Sequence, residues 1–279
     1  MSEPYRPLDS ALARRRFARA AATYAGASRL EAEVGARMLE RLDLVKLAPR
    51  RILDAGSGPG RDAAALARRY PRASVVALDH ALPLLPRRSL LRKFLSRGPS
   101  AVCGAMERLP FAPESFELAW SNMALHWLND PLAALRELER VLRSQGLLMF
   151  STLGPDTLKE LRAAAGPARV HDFIDMHDLG DMLVAAGFQA PVMDMEILRI
   201  QYASGRTLLE DLRASGQANA RRDRPRGLAG RDLRDRLERA LGAGMQSTYE
   251  VIYGHAWRRE AVAGDAPAAK TIRVFKRIP

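Results

Sequence analysis

Apolar residues along the chain alternate between short continuous runs and helical spacing. The runs predict buried strands at residues 51–55, 74–79, 100–103, 116–121, 146–152, 195–202 and 248–257. Apolar residues three or four positions apart predict helices between them, at 60–69, 83–96, 131–143, 176–187, 206–219 and 231–242. Strands that alternate with helices form a parallel, doubly wound sheet with right-handed crossovers. The pattern therefore predicts an α/β fold built on a seven-stranded sheet.

Two segments lie outside this alternation. The first, residues 1–48, has apolar residues at helical spacing and precedes the first predicted strand. The second, residues 204–245, is an arginine-rich helical insertion before the last strand. Neither segment is needed to complete the sheet. We therefore expect an N-terminal helical lid over 1–48 and a core over 49–279, whose insertion forms a substrate platform.

A glycine-rich turn follows the first strand in Arg51–Gly60, which reads RILDAGSGPG. Glycines let the backbone turn sharply and approach a ligand without a Cβ in the way. The acid at its head, Asp54, would repel the pyrophosphate of a dinucleotide, which such turns otherwise bind, but would attract the ammonium of S-adenosylmethionine. We therefore expect cofactor contacts from Asp54 and from the loop residues Gly56, Ser57, Gly58 and Gly60.

The looser dinucleotide pattern is also present, in Gly58–Ala63. The second strand ends in Asp79, at the distance where a carboxylate accepts the hydroxyls of a ribose. Both cofactors contain that ribose, so Asp79 alone does not separate them. The order and spacing of Gly104–Phe111 and of the strand after it resemble the class I methyltransferase (Rossmann-like) core, which implies S-adenosylmethionine.

Ligands of such sheets bind beyond the carboxyl ends of the strands. The loops after the first four strands should therefore line one crevice. Besides the glycine loop and Asp79, we expect the cofactor to be bound there by His80, Ala105, Met106, Glu107 and Asn122.

Composition is that of a globular protein, with 47% apolar and 27% charged residues in 279. The net charge of +12 is concentrated in arginine clusters, which suggest an anionic partner such as nucleic acid or an acidic protein. General arginine usage on a solvated surface is the alternative. Aromatic residues for base stacking are not interleaved with the clusters.

Other classes of site and location are disfavoured by the sequence. The single cysteine, Cys103, excludes a disulfide framework and a cysteine-rich zinc site. The histidines His171, His177 and His255 are too dispersed to predict a metal site. There is no apolar run of about 18 residues, and Met1–Arg16 is polar and basic without a signal core. We expect a cytoplasmic protein that binds no membrane.

The loop after the fourth strand bears on the methyl acceptor. Amine methylation commonly uses an Asn/Asp-Pro-Pro-aromatic loop there, whereas Ser121–Trp127 reads SNMALHW. Methylation of pyrimidine carbon-5 needs a cysteine nucleophile, and Cys103 lies on the adenine-side strand. A carboxylate is already nucleophilic and needs only proximity and orientation, which can supply roughly 7–11 kcal/mol at best. The sequence therefore favours a carboxylate acceptor.

Four segments together resemble the malonyl-acyl carrier protein O-methyltransferase family of biotin synthesis: Phe17–Tyr24 (FARAAATY), Leu53–Gly60, Ser121–Trp127 and Leu135–Arg143. The likeness covers nearly the whole chain. It implies a partner, an acidic acyl carrier protein with a malonyl thioester, and no nucleic acid. It also implies substrate-side catalytic roles for Arg19, Tyr24, His126 and Trp127. The arginines of Arg221–Arg226 are expected to dock the carrier.

Two alternatives stay open at this point, and one residue departs from the family. Proteins that assist respiratory complex I assembly share parts of the pattern, and some hydroxylate arginine. An RNA methyltransferase is suggested by the charge. Family members usually carry an acid where this chain has Ala105. If that acid accepts from the adenine amino group, its absence costs on the order of 1 kcal/mol of cofactor binding.

Overall fold

The structure is a computed structural model that describes residues 7–86, 98–225 and 244–260. Its centre is a seven-stranded sheet in the order β3-β2-β1-β4-β5-β7-β6. The strands are β1 Arg51–Ala55, β2 Ser74–Asp79, β3 Ser100–Cys103, β4 Phe116–Ser121, β5 Leu142–Leu153, β6 Phe188–Tyr202 and β7 Met245–Arg258.

Strands β1 to β5 pair in parallel, as predicted, but β7 runs antiparallel to both β5 and β6. The parallel pairing that the alternation predicts holds for these five strands and does not extend to β7. The chain leaves β6 at Tyr202 and returns at Met245, which is paired directly with Tyr202. A strand that starts beside the end of its neighbour must run in the opposite direction.

Helices cover both faces of the sheet. They are α1 Ser10–Ala20, α2 Tyr24–Ala27, α3 Arg29–Arg41, α4 Arg61–Arg69, α5 Pro131–Val141, α6 Lys159–Ala165, α7 Met176–Ala186 and α8 Gly205–Ala214. One face packs Val34 of α3 and Leu66 of α4 into a core cluster with Trp120 of β4. The other packs Leu135 of α5 and Leu183 of α7 against the same sheet. None of the described helices is long and apolar enough to cross a bilayer.

Several predicted boundaries shift. Helix α5 ends at Val141 because the chain passes directly into β5. Helix α8 ends at Ala214 and does not extend to 219. Directly after its end, the Ser215 hydroxyl donates to the Asp211 carbonyl, and Gly216 has a φ of 76°. Residues 82–84 form a turn instead of the start of the predicted helix at 83–96. Residues 87–96 of that helix lie outside the described residues, as does the predicted helix at 231–242.

The N-terminal segment and the insertion pack on each other above the sheet. The Asp9 amide donates to the Ala220 carbonyl at 2.8 Å, and the Thr23 hydroxyl donates to the Ala214 carbonyl at 2.7 Å. Asn129, just beyond the loop after β4, exchanges two hydrogen bonds with the Leu8 backbone. The two segments that the sheet does not need therefore meet over the carboxyl ends of its strands.

Candidate active site

The β1–α4 loop is built by three glycines in left-handed conformations. Gly56, Gly58 and Gly60 have φ angles of 80°, 52° and 79°, which other residues rarely adopt. The Gly56 amide donates to the Leu78 carbonyl of β2 at 2.8 Å. A Cβ on Gly56 would lie 2.3 Å from the Ala124 Cβ. The loop is thereby held tightly between β2 and the segment after β4.

Asp79, at the carboxyl end of β2, faces this loop. Its Oδ2 accepts from the Gly58 amide at 2.9 Å, and its Oδ1 accepts from the Ala81 amide at 2.7 Å. The side chain is buried but lines the adjoining cavity. Its carboxylate is therefore fixed in orientation at the edge of the cavity.

Asp54 lies beneath the loop, at the end of β1. It is 1% exposed, and its Oδ2 has no hydrogen-bond partner among the described residues. Burial raises the pKa of Asp54 well above its ordinary value, and the nearby carboxylates of Asp62 and Asp79 raise it further. A buried acid in this state would be stabilised as a carboxylate by a cation. Asp54 therefore fits the ammonium group of S-adenosylmethionine and does not fit a pyrophosphate.

A cavity of about 360 Å³ opens above these strand ends. The cofactor side is lined by the loop glycines and by the residues after β2, β3 and β4. The opposite side comes from α1, α2 and the loop after β4. Its lining includes Arg14, Phe17, Tyr24, Gly56, Gly58, Asp79, His80, Ala105, Met106, Glu107, Asn122, Met123 and Trp127. A single cavity therefore joins the expected cofactor residues to the lid.

Aromatic rings form the lid side of this cavity. The Phe17 ring contacts Trp127 edge-on, with centroids 4.9 Å apart, and lies 6.3 Å from Tyr24. Trp127 in turn meets His171 edge-on at 4.7 Å. Burial raises the pKa of Tyr24 well above its ordinary value, so its hydroxyl stays protonated at neutral pH. Tyr24 can therefore donate a hydrogen bond but cannot act as a phenolate base.

A buried polar network fixes the floor of the cavity. Asp62, in the first turn of α4, accepts on Oδ2 from Trp120 Nε1 at 3.1 Å and from Asn122 Nδ2 at 2.8 Å. The Asn122 amide also donates to the Glu31 carbonyl of α3 at 2.8 Å. Ser151 of β5 donates to Asn122 Oδ1 at 2.7 Å. Asn122 thus links the lid helix α3 to the sheet while facing the cavity.

Most of the residues expected at the site meet at this cavity. Asp54, Ser57 and Gly60 do not line it: Asp54 lies at the end of β1 beneath the loop, and Ser57 and Gly60 belong to the loop behind the cavity. Arg19 is exposed on α1 and does not line the cavity. His126 is buried behind Trp127, with its Nδ1 3.3 Å from the Thr152 hydroxyl. Burial and the neighbouring His171 lower the pKa of His126 to about 3.

Three important residues were not expected at the site. Arg14 lines the cavity one helical turn before Phe17, but its direction follows from the docking of α1 and has no local sequence signal. Phe17, which by sequence is simply an apolar helical residue, forms the cavity wall. Asp62 could not be recognised from sequence, because its role depends on donors from β4 that are distant along the chain.

Comparison with known proteins extends this picture. Residues 53–150 match a methyltransferase domain family. The chain is 50% identical over 268 residues to a protein of Methylovorus sp. (strain MP688) named malonyl-[acyl-carrier protein] O-methyltransferase, covering 91% of this chain and 90% of that one. A protein of the same name from Laribacter hongkongensis is 49% identical over 269 residues, covering 91% of each chain.

Solved structures agree on the fold. The YcgJ protein of Bacillus subtilis superposes with a TM-score of 0.59 at 18% identity, covering 80% of this chain and 98% of that one. The [4+2]-cyclase SpnF superposes with a TM-score of 0.50 at 20% identity, covering 82% and 81%. Such neighbours show the fold and leave the reaction open. The close sequence relatives show the family. The chain belongs to the malonyl-[acyl-carrier protein] O-methyltransferase family of class I methyltransferases, whose cofactor is S-adenosylmethionine.

Proposed function

We propose that this enzyme transfers a methyl group from S-adenosylmethionine to the free carboxylate of a malonyl thioester carried by an acyl carrier protein. The observation that carries the proposal is the shared cavity. Cofactor-side residues such as Asp79 and lid-side residues such as Tyr24 and Trp127 line the same space. The names of the close relatives supply the acceptor.

Cofactor binding is assigned to the strand ends. Asp54 would hold the ammonium group, and Asp79 the ribose hydroxyls. Met106, which is buried beside the Gly56 loop, and Glu107 would flank the adenine together with Ala105. When bound, S-adenosylmethionine supplies an electrophilic methyl group on a positively charged sulfur.

Acceptor activation needs little from the protein, because a carboxylate is already ionised at neutral pH. Held by Asp54 and Asp79, the cofactor would supply its methyl group to one carboxylate oxygen of the acceptor and would keep the electron pair of the carbon–sulfur bond on its sulfur. No proton moves, so the absence of His126 from the cavity lining is consistent with this chemistry. Opposite charges disappear in the transition state, and a water-poor cavity walled by Phe17 and Trp127 favours such a step.

Lid residues would position the acceptor. Among the described residues, Arg14 is an arginine that lines the cavity, and we assign to it the binding of the acceptor carboxylate; Arg19, which was expected on the substrate side, does not line it. The contact must be loose, because a strong bidentate pair would stabilise the carboxylate before reaction. Tyr24 would donate a hydrogen bond to the acceptor. In this role residues 1–48 act as the lid and 204–245 as the platform.

The family role places the reaction early in biotin synthesis, where esterification removes a charge so that fatty-acid elongation accepts the unit. The test is transfer of labelled methyl from S-adenosylmethionine to malonyl-carrier. Acetyl-carrier, which lacks the free carboxylate, and RNA are the controls. The proposal requires label on malonyl-carrier alone. Label on RNA would support the RNA methyltransferase, and transfer to none of them would favour an assembly factor.

A further inference from the structure

The start of α1 carries exposed positive charge beside the mouth of the cavity. Arg14 lines the cavity and Arg15 is its exposed neighbour. Arg222 and Arg224 join them from the insertion, because the Arg222 amide donates to the Pro7 carbonyl at 3.0 Å. We call these four residues, Arg14, Arg15, Arg222 and Arg224, the arginine rim.

The acid at the start of α1 lies near three of the rim arginines. Asp9 caps α1 by accepting from the Leu12 amide at 2.9 Å. That hydrogen bond lowers the pKa of Asp9, and the charges of Arg15, Arg224 and Arg222 lower it further. Three cations from two separate parts of the chain, α1 and the insertion, therefore lie close enough to act on one carboxylate, which leaves an excess of positive charge.

In the described part of the chain, the guanidinium groups of Arg222 and Arg224 bond backbone carbonyls rather than carboxylates. Arg222 Nε donates to the Leu8 carbonyl at 3.2 Å, and Arg224 donates to the Arg221 carbonyl at 2.7 Å. Neutral carbonyl oxygens leave the charge of a guanidinium in place. Arg221 differs, because its buried side chain is paired with Asp172 and Asp223. The expectation that Arg221 docks a partner was therefore wrong, and Arg226 lies outside the described residues.

We propose that the arginine rim is the docking surface for the acidic face of the carrier protein. This inference rests on the proposed function, in which the thioester enters the cavity while the carrier stays outside. A carrier bound on the rim would stand directly beside the cavity mouth that Arg14 lines. An acidic protein suits this surface better than RNA, because Phe17 is buried in the cavity wall and does not offer a stacking platform.

The test compares two substrates with the double variant R222E/R224E. One substrate is malonyl-carrier, and the other is a small malonyl thioester without the protein. The Michaelis constant for malonyl-carrier should rise about tenfold at low salt, because rim charges govern the encounter rate. The difference should shrink near 0.15 M salt, where the Debye length is about 8 Å. Turnover of the small thioester should stay unchanged.

A single charge reversal away from the rim is available as a control in R72E. Arg72 is exposed just before β2. It lies at the amino ends of the parallel strands, whereas the cavity lies at their carboxyl ends. It changes the net charge but not the rim, so the Michaelis constant of this variant should equal that of the wild type. Thermal denaturation checks that each variant folds. If R222E/R224E does not fold, R15E replaces it, because Arg15 is exposed on α1.

Three outcomes would overturn the docking surface. They are an unchanged Michaelis constant for malonyl-carrier in R222E/R224E, an equal loss on both substrates, and a loss of RNA binding alone. Fluorescence anisotropy of labelled carrier measures docking without methyl transfer. Rim-dependent carrier binding would support the docking surface even if wild-type enzyme methylated neither malonyl substrate, a result that would overturn only the proposed function.

Discussion

The side-chain amide of Asn122 donates to Asp62 Oδ2 over 2.8 Å and thereby ties the wall of the cavity to the first turn of α4. The same amide group binds the Glu31 carbonyl of α3. Because Asp62 also accepts from Trp120, two buried donors depend on one carboxylate. The packing of the lid on the core and the shape of the cofactor site are therefore coupled through Asp62.

Removal of this carboxylate is expected to destabilise the protein. Asp62→Ala leaves the Trp120 and Asn122 donors unsatisfied in a buried place, which should cost about 2–4 kcal/mol of unfolding free energy. Asp62→Asn keeps an acceptor oxygen and should lose less. Urea denaturation measures both values. If Asp62→Ala and Asp62→Asn unfold at the same urea concentration as wild type, the network contributes nothing to stability.

Asp79 provides the sharpest test of the cofactor assignment. Asp79→Ala should weaken S-adenosylmethionine binding by about 1.5–3 kcal/mol, because a charged acceptor for the ribose hydroxyls is lost. Calorimetry measures the dissociation constant directly. Asp178→Ala, which removes an exposed acid on α7, is the matched control and should bind normally. An unchanged dissociation constant in a folded Asp79→Ala protein would remove Asp79 from the site.

Tyr24→Phe should separate turnover from cofactor binding. The variant keeps the aromatic contact with Phe17 but loses the hydroxyl that we assign to the acceptor. Turnover of the malonyl substrate should fall about tenfold or more, in line with the loss of one hydrogen bond to a charged group. The affinity for S-adenosylmethionine should change little. Unaltered turnover would reduce Tyr24 to a packing residue.

Buried Glu31 predicts a specific pH dependence of stability. Burial raises the pKa of Glu31 to about 7. The pKa of Glu31 in the unfolded chain is about 4.5. At pH values between 4.5 and 7, the folded state therefore holds a proton on Glu31 that the unfolded state has lost. The free energy of unfolding contributed by Glu31 therefore falls as pH rises through this window. Relative to Glu31→Gln, wild type should lose on the order of 2–3 kcal/mol between pH 4.5 and 7.5.

The comparison with Glu31→Gln is needed because buried histidines act in the opposite direction. Burial lowers the pKa of His126 and His171 to about 3. The contribution of both histidines to the free energy of unfolding therefore falls as pH falls below about 6.5. This contribution is common to both proteins and cancels in their difference. Glutamine also keeps the acceptor oxygen for Gln217. Parallel curves of unfolding free energy against pH for the two proteins, from pH 4.5 to 7.5, would show that the pKa of Glu31 is not raised.

The sequence predicts the strand ends well because their chemistry is local. An acid at the end of β1, three glycines and Asp79 occupy positions that a class I fold fixes within a few residues. Side-chain direction on α1 is not local in this sense. Arg14 and Arg19 lie on the same helix, and only its docking against the loop after β4 decides that Arg14 faces the cavity. The same limit applies to the direction of β7, which depends on where the insertion returns.

The central claim is that the methyl group reaches the free carboxylate of the malonyl unit. Intact-mass spectrometry of malonyl-carrier after incubation with the enzyme and S-adenosylmethionine tests it most directly. We expect a mass gain of one methylene that leaves the carrier together with the malonyl unit when base cleaves the thioester. Acetyl-carrier should gain nothing. A gain on acetyl-carrier, or a base-stable gain on the carrier polypeptide, would contradict the assignment of a carboxylate acceptor.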